Sequence, residues 1–130
     1  MNQRILIVDD SPLLRALARR AVEQAGALPE RVREAANGRE ALDALTHEPA
    51  DVVLLDLNMP VMDGYEFLAE KMKAPSLAAM QVVLVTTEGN KKRLERATQF
   101  GVIHYLRKPF EPEELRALAQ QMFETGEGKE

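Results

Sequence analysis

Val52-Val53-Leu54-Leu55-Asp56-Leu57-Asn58-Met59-Pro60-Val61-Met62-Asp63-Gly64 is the stretch that decides the fold. It starts as a short run that is apolar at every position. Such a run is expected of a strand buried on both faces, as in a parallel sheet covered by helices on each side. It breaks at an aspartate, crosses a loop containing Pro60, and opens a helical pattern at Asp63-Gly64. Two other segments share the design, Ile5-Leu6-Ile7-Val8-Asp9-Asp10 and Val82-Val83-Leu84-Val85-Thr86, and Lys108-Pro109-Phe110 follows later. Each apolar run has its polar residue at the C-terminal end, the edge of an open parallel sheet where ligands bind.

Outward from that stretch, strand-like and helix-like patterns alternate along the whole chain. Ile5 to Val8 reads as the first strand, and Ser11-Pro12 gives an N-cap followed by proline at the first helical position. Leu13, Leu14, Leu17, Ala18, Ala21, Val22 and Ala25 then repeat with a helical period up to Gly26. A weak second strand is expected over Arg31 to Ala35, followed by the turn signal Asn37-Gly38 and a short helix carrying Ala41, Leu42 and Leu45. The third strand covers Asp51 to Asp56, and the third helix turns Phe67, Leu68 and Met72 inward before Pro75.

Gln81 to Thr86 is strongly β-branched and reads as the fourth strand. The fourth helix, after Glu88-Gly89-Asn90, has only Leu94, Ala97 and Phe100 for an apolar stripe, so it is a candidate moving part. Val102 to Leu106 reads as the fifth strand. Glu111-Pro112-Glu113-Glu114 suits the first turn of a last helix, with Leu115, Leu118 and Met122 inward. Five βα units in this order predict a doubly wound α/β sandwich with a five-stranded parallel sheet. One domain is expected over 1–124 with a polar tail over 125–130, and nothing remains for an output domain.

The bulk numbers agree. A chain of 130 residues with 45% hydrophobic content is one domain with a real core. The absence of cysteine removes disulfides and thiolate metal sites. No apolar stretch approaches the roughly 20 residues needed to span a bilayer, and a soluble cytoplasmic protein is the simplest reading. A net charge of −4 argues against nonspecific nucleic-acid binding. Lys91, Lys92, Arg93 and Arg96, with Arg107, form a local basic cluster, read as a solvated face or a docking face for an acidic partner.

Asp9, Asp10 and Asp56 converge if the first and third strands are neighbours. At about 4 Å and an effective dielectric near 20, each like-charge pair costs about 4 kcal/mol. Such a cluster persists when a cation binds it, and a few hard oxygen ligands suit Mg²⁺. Asp56 is the best nucleophile, because a carboxylate can attack phosphorus to form an aspartyl phosphate. The Thr86 hydroxyl, at the same edge, suits a phosphoryl oxygen. Lys108 supplies an ammonium to balance the carboxylates and then clamp the phosphoryl group.

Together, Asp9-Asp10, Asp56, Thr86 and Lys108-Pro109-Phe110 resemble the receiver domain of bacterial two-component response regulators. The resemblance covers essentially the whole chain, and the segment from Asp56 to Gly64 is similar to single-domain chemotaxis regulators of the CheY type. It implies a flavodoxin-like sheet order 2-1-3-4-5 and a signalling switch rather than an enzyme. It further implies that Asp56 accepts a phosphoryl group from a histidine kinase, with Mg²⁺ held by Asp9, Asp10, Asp56 and the backbone carbonyl of Asn58. Lys108 would contact the phosphoryl group, the peptide before Pro109 would be cis, and Thr86 and Tyr105 would act as the switch pair. Asn58 and Glu88 would tune dephosphorylation.

The partner implied is a phosphorylation-dependent target such as a flagellar motor switch protein, with a phosphatase as a further partner. Phosphorelay or another non-motility output is the alternative. Two departures stand out, Thr87 where alanine is often found and Arg107 just before the lysine. Haloacid-dehalogenase-type phosphatases need a second aspartate where Asn58 stands. A dinucleotide site needs glycines where Asp9-Asp10-Ser11-Pro12 stands. A degenerate receiver acting only as an interaction module would lack an acid, the threonine or the lysine.

Overall fold

Strands β1 (Ile5–Val8), β2 (Val32–Ala35), β3 (Val52–Leu55), β4 (Gln81–Thr86) and β5 (Val102–Arg107) form one parallel sheet in the order β2-β1-β3-β4-β5. These come from a computed structural model that describes residues 3–100 and 102–127. Helices α1 (Pro12–Gln24), α2 (Gly38–His47), α3 (Gly64–Lys73), α4 (Lys91–Thr98) and α5 (Pro112–Glu127) connect the strands and close the chain. This is the predicted doubly wound, flavodoxin-like topology.

Alternation along the strands divides the core in two. Ile5, Ile7, Val52, Leu54, Val83 and Val85 pack with Ala18, Ala21 and Val22 of α1 and Leu115, Ala119 and Met122 of α5. Leu6, Val8, Val53, Leu55, Val82 and Leu84 pack with α2 and α3 through Ala41, Leu45, Phe67 and Leu68, and with Ala97 of α4. Each large side chain fully buried this way stabilises the fold by roughly 1.5–3 kcal/mol relative to exposure.

Register places the strand ends. Val8 pairs with Ala35 on one side and Leu55 on the other, so Asp9 and Asp56 leave adjacent strands at the same level. Leu55 pairs with Leu84, which sets Thr86 near the same edge. Strand β5 carries a register shift, because Val82 pairs with Val102 but Val83 pairs with His104. The extra residue inverts the faces of everything after it. It also brings Thr86 opposite Arg107, so Lys108 follows at the sheet edge.

Several sequence expectations need correction. β5 runs one residue further than read, to Arg107, and Arg31 lies in a 3-10 turn ahead of β2. Leu13 and Leu17, read as part of the inner stripe of α1, are exposed at 67% and 40%, because Leu14, Ala18, Ala21 and Val22 already fill the face toward the sheet. α5 continues to Glu127, past the start of the expected tail. In α3, Met72 is 48% exposed, whereas Lys71 is 1% exposed. The stripe Gly64, Phe67, Leu68, Lys71 has the spacing of one helix face, and position on that face overrides hydrophobicity.

The Lys71 ammonium donates one hydrogen bond, to the Ala78 carbonyl oxygen at 3.0 Å. Burial lowers its pKa from the usual 10.5. Lys71→Met should therefore stabilise the protein by about 1–2 kcal/mol at neutral pH, since replacing a buried charge by an apolar group of similar volume is often favourable. Between the lowered folded pKa and 10.5 the unfolded chain binds more protons, so wild-type stability rises with pH across that window. The variant should lack this rise. Denaturant unfolding from pH 7 to 10.5 checks it, and parallel curves for the two proteins would contradict it.

The end of the sheet away from Asp56 is tied by Arg4 and Asp51. The Arg4 backbone N–H donates to Asp51 Oδ2 at 2.7 Å, and its guanidinium reaches both carboxylate oxygens at 3.3 Å. The Asp51 N–H donates back to the Arg4 carbonyl oxygen at 2.8 Å. Burial opposes ionisation of Asp51, yet its bonds to Arg4 hold the carboxyl below its usual range.

Candidate functional site

Every group that the sequence reading placed at the sheet edge lies there. Asp9, Asp56 and Thr86 are buried at the ends of β1, β3 and β4, while Asp10 is exposed at the mouth. Carboxylate oxygens of Asp9, Asp10 and Asp56 all lie within 4.8 Å of one another. Lys108 Nζ stands 2.6 Å from Asp9 Oδ2 and 3.4 Å from Asp56 Oδ2. Only 13%, 8% and 6% of the Lys108, Asp9 and Asp56 side chains are exposed, so little solvent screens these charges.

Local sequence holds each group in place. The Ser11 N–H donates to Asp9 Oδ1 at 2.9 Å, while the Ser11 hydroxyl caps α1 by accepting from the Leu14 N–H. The Arg15 guanidinium, one turn further on, donates to the Asp9 backbone carbonyl at 2.7 Å. The Asn58 N–H donates to Asp56 Oδ1 at 3.3 Å, and the Asn58 residue is exposed at the mouth. The Lys108 N–H donates to the Thr86 carbonyl oxygen at 2.8 Å, extending the β4–β5 ladder to the lysine. The Lys108–Pro109 peptide is cis.

Thr86 and Tyr105 meet at Glu88. Its N–H donates to Thr86 Oγ1 at 3.3 Å, and its carbonyl oxygen accepts from the Tyr105 hydroxyl at 2.7 Å. Glu88 Oε1 faces Arg93 Nη1 at 3.0 Å, and Oε2 accepts from the Asn90 N–H at 3.0 Å. Tyr65 of α3 lies beneath α4, with Arg93 and Arg96 5.2 and 5.3 Å from its ring centroid. Its hydroxyl donates to the Arg93 carbonyl oxygen at 2.6 Å. Burial raises the Tyr65 pKa.

Three residues of this neighbourhood escaped the sequence reading. Arg15 stands four residues after Ser11, a spacing that puts it on the mouth side of α1, but long polar side chains at that spacing are common. Tyr65 reads as one more residue of an α3 core stripe. Gly64 reads only as a helix start, yet a Cβ there would lie 2.5 Å from the Asp56 carbonyl oxygen and 2.7 Å from Leu57 Cα.

The donor set fits a hard divalent cation. Three carboxylates against one ammonium leave two formal negative charges uncompensated, and oxygen donors at this spacing suit Mg²⁺. The arrangement sets buried carboxylates, a candidate cation site and a lysine at one mouth, a set of groups that can support phosphoryl transfer to a side chain.

This fold and site define a class. The chain belongs to the response regulator receiver domain family, whose model matches residues 5–120. It is 35% identical over 127 residues to a chemotaxis protein CheY homolog of Campylobacter jejuni, covering 97% of this chain and 96% of that one. It is also 36% identical over 116 residues to sporulation initiation phosphotransferase F of Bacillus subtilis, covering 89% and 90%. Among solved structures, the chemotaxis response regulator CheY4 of Vibrio cholerae superposes with a TM-score of 0.83 at 32% identity, covering 93% of this chain and 98% of that one. Receiver domains are signalling switches. Among the described residues, no helix is long and apolar enough to cross a membrane.

Proposed function

We propose that this chain is a cytoplasmic, phosphorylation-controlled switch that accepts a phosphoryl group on Asp56 from a histidine kinase and signals to a flagellar motor switch protein. The observation that carries this reading is Lys108 Nζ lying between Asp9 and Asp56 within a cluster of three carboxylates. An Asp56 carboxylate oxygen attacks phosphorus, forming a P–O bond as the P–N bond to the donor histidine breaks. Asp9, Asp10, Asp56 and the Asn58 backbone carbonyl would hold Mg²⁺, which when bound neutralises charge on the carboxylate and the phosphoryl oxygens. Lys108 Nζ turns from Asp9 to a phosphoryl oxygen. Asn58 and Glu88, flanking the mouth, tune how fast water removes the group, alone or with a phosphatase.

The switch follows from differential contacts. The Thr86 hydroxyl accepts from the Glu88 N–H in this state, and drawing it to the phosphoryl group gives up that bond. The loop that carries Glu88 then shifts, and the Tyr105 hydroxyl loses its partner at the Glu88 carbonyl. Phosphorylation thereby favours an alternative arrangement of the face built from α4, β5 and α5. α4 suits this role, since Ala97 is its one buried residue.

The CheY relatives support a motility output. Similarity to a sporulation phosphotransferase supports a second reading, in which Asp56 hands its phosphoryl group onward to a histidine. Phosphoramidate with Mg²⁺ should add one phosphoryl group to the wild-type chain and none to Asp56→Ala, read by intact mass. Label on Asp56→Ala would move the chemistry elsewhere. Capture from cell lysate with beryllofluoride-loaded protein then separates the outputs: a motor-switch protein favours motility, a histidine phosphotransfer protein the relay.

A further inference from the structure

The Glu88 residue is engaged at every polar atom. Its N–H meets Thr86, its carbonyl oxygen meets Tyr105, and its two carboxylate oxygens meet Arg93 and the Asn90 N–H. Its side chain is 11% exposed although it stands at the entrance to α4, whereas the Arg93 side chain is 51% exposed. The carboxylate is thus held under an arginine that solvent can reach. Arg93 is in turn fixed from beneath, with its carbonyl oxygen on the Tyr65 hydroxyl and its guanidinium over the Tyr65 ring. Of the basic residues on α4, Arg93 is the one that the structure commits to a carboxylate beside Thr86.

We infer that Arg93 is a positioning residue that sets the lifetime of the aspartyl phosphate by holding the Glu88 carboxylate away from the mouth of the site. The inference rests on the reading that Asp56 is phosphorylated. Hydrolysis forms a bond from a water oxygen to phosphorus and breaks the bond from phosphorus to Asp56, releasing inorganic phosphate and the carboxylate. A Glu88 side chain free of Arg93 can swing to the mouth, accept a hydrogen bond from the attacking water and raise the rate. Bound to Arg93 it cannot, so the ion pair lengthens the lifetime.

The test is a mutant cycle on the full chain. Wild type, Arg93→Gln, Glu88→Gln and the double variant are phosphorylated with phosphoramidate and Mg²⁺. The donor is then removed and inorganic phosphate release is timed. An ion pair with one half-exposed partner corresponds to a rate change of roughly two- to five-fold. Arg93→Gln should speed release by that factor in the wild-type background and leave the Glu88→Gln background unchanged. Arg93→Lys, which keeps the charge, should restore most of the lifetime.

Equal effects of Arg93→Gln in both backgrounds would overturn the inference, because Arg93 would then not act through Glu88. So would an Arg93→Lys rate equal to that of Arg93→Gln, because the charge on this exposed side chain would then not be what holds Glu88. A wild-type chain that takes up no phosphoryl group would instead remove the reading beneath it.

Discussion

Lys108→Ala should lower the stability of the metal-free protein by about 3–5 kcal/mol, the cost of breaking a buried ion pair from one side. Lys108 Nζ is the ammonium between Asp9 Oδ2 and Asp56 Oδ2, and neither carboxylate has much solvent to replace it. At an effective dielectric near 20, two carboxylates about 4 Å apart repel by about 4 kcal/mol, which agrees with that range. The loss should shrink when Mg²⁺ is added, because a cation bound to the folded state alone stabilises by mass action. Urea unfolding with and without Mg²⁺ measures both quantities. The variant should still take up a phosphoryl group on Asp56 yet bind its partner alike in both states. Wild-type stability without metal, or a wild-type partner response, would show that the lysine neither balances the acids nor couples the site to α4.

Gly64→Ala should be nearly as damaging, by about 3 kcal/mol. At the first turn of a helix, exchange of glycine for alanine is ordinarily favourable by up to about 1 kcal/mol. Here the added carbon would stand 2.5 Å from the Asp56 carbonyl oxygen and 2.7 Å from Leu57 Cα. Both are backbone atoms of the segment that carries Asp56, so neither can turn aside as a side chain would. The Gly64 N–H also donates to the Leu57 carbonyl oxygen at 3.0 Å, and pushing α3 away breaks that bond. Thermal unfolding should shift down by about 10 °C, and phosphoryl uptake should slow because Asp56 moves with its backbone. An unchanged midpoint would mean that α3 can retreat freely from β3.

The fold and the acid cluster were legible because one rule served both. A strand buried on two faces is apolar until it reaches the edge, so the first carboxylate after Val8 or Leu55 marks the end of the strand and the rim of the site together. The departures lie where sequence spacing and spatial register part company. The extra residue in β5 has no signature of its own, yet it decides which β5 residue faces Thr86. Lys71 is buried because it occupies an inward helical position with the Ala78 carbonyl oxygen in reach, and that acceptor comes from a later turn. Leu13 and Leu17 fit the helical period of α1 but overflow a face that smaller residues already close. Glu88 joins four partners, of which the sequence offered Thr86 and Tyr105 by resemblance, while nothing in it tied Asn90 or Arg93 to the Glu88 carboxylate.

β1 and β3 are fastened and sprung at opposite ends. At one end Arg4 and Asp51 exchange hydrogen bonds and charge. At the other, the same two strands finish in carboxylates that repel and are drawn together by Lys108. Between these ends the strands are paired from Ile5–Val52 to Val8–Leu55, and the Asp56 N–H donates to the Val8 carbonyl oxygen at 3.0 Å, so about four residues of strand, or roughly 13 Å, act as one stiff beam. A change of charge at the rim is therefore met by the side chains of Asp9, Asp56 and Lys108, because the backbone beneath them has no freedom to part or slide.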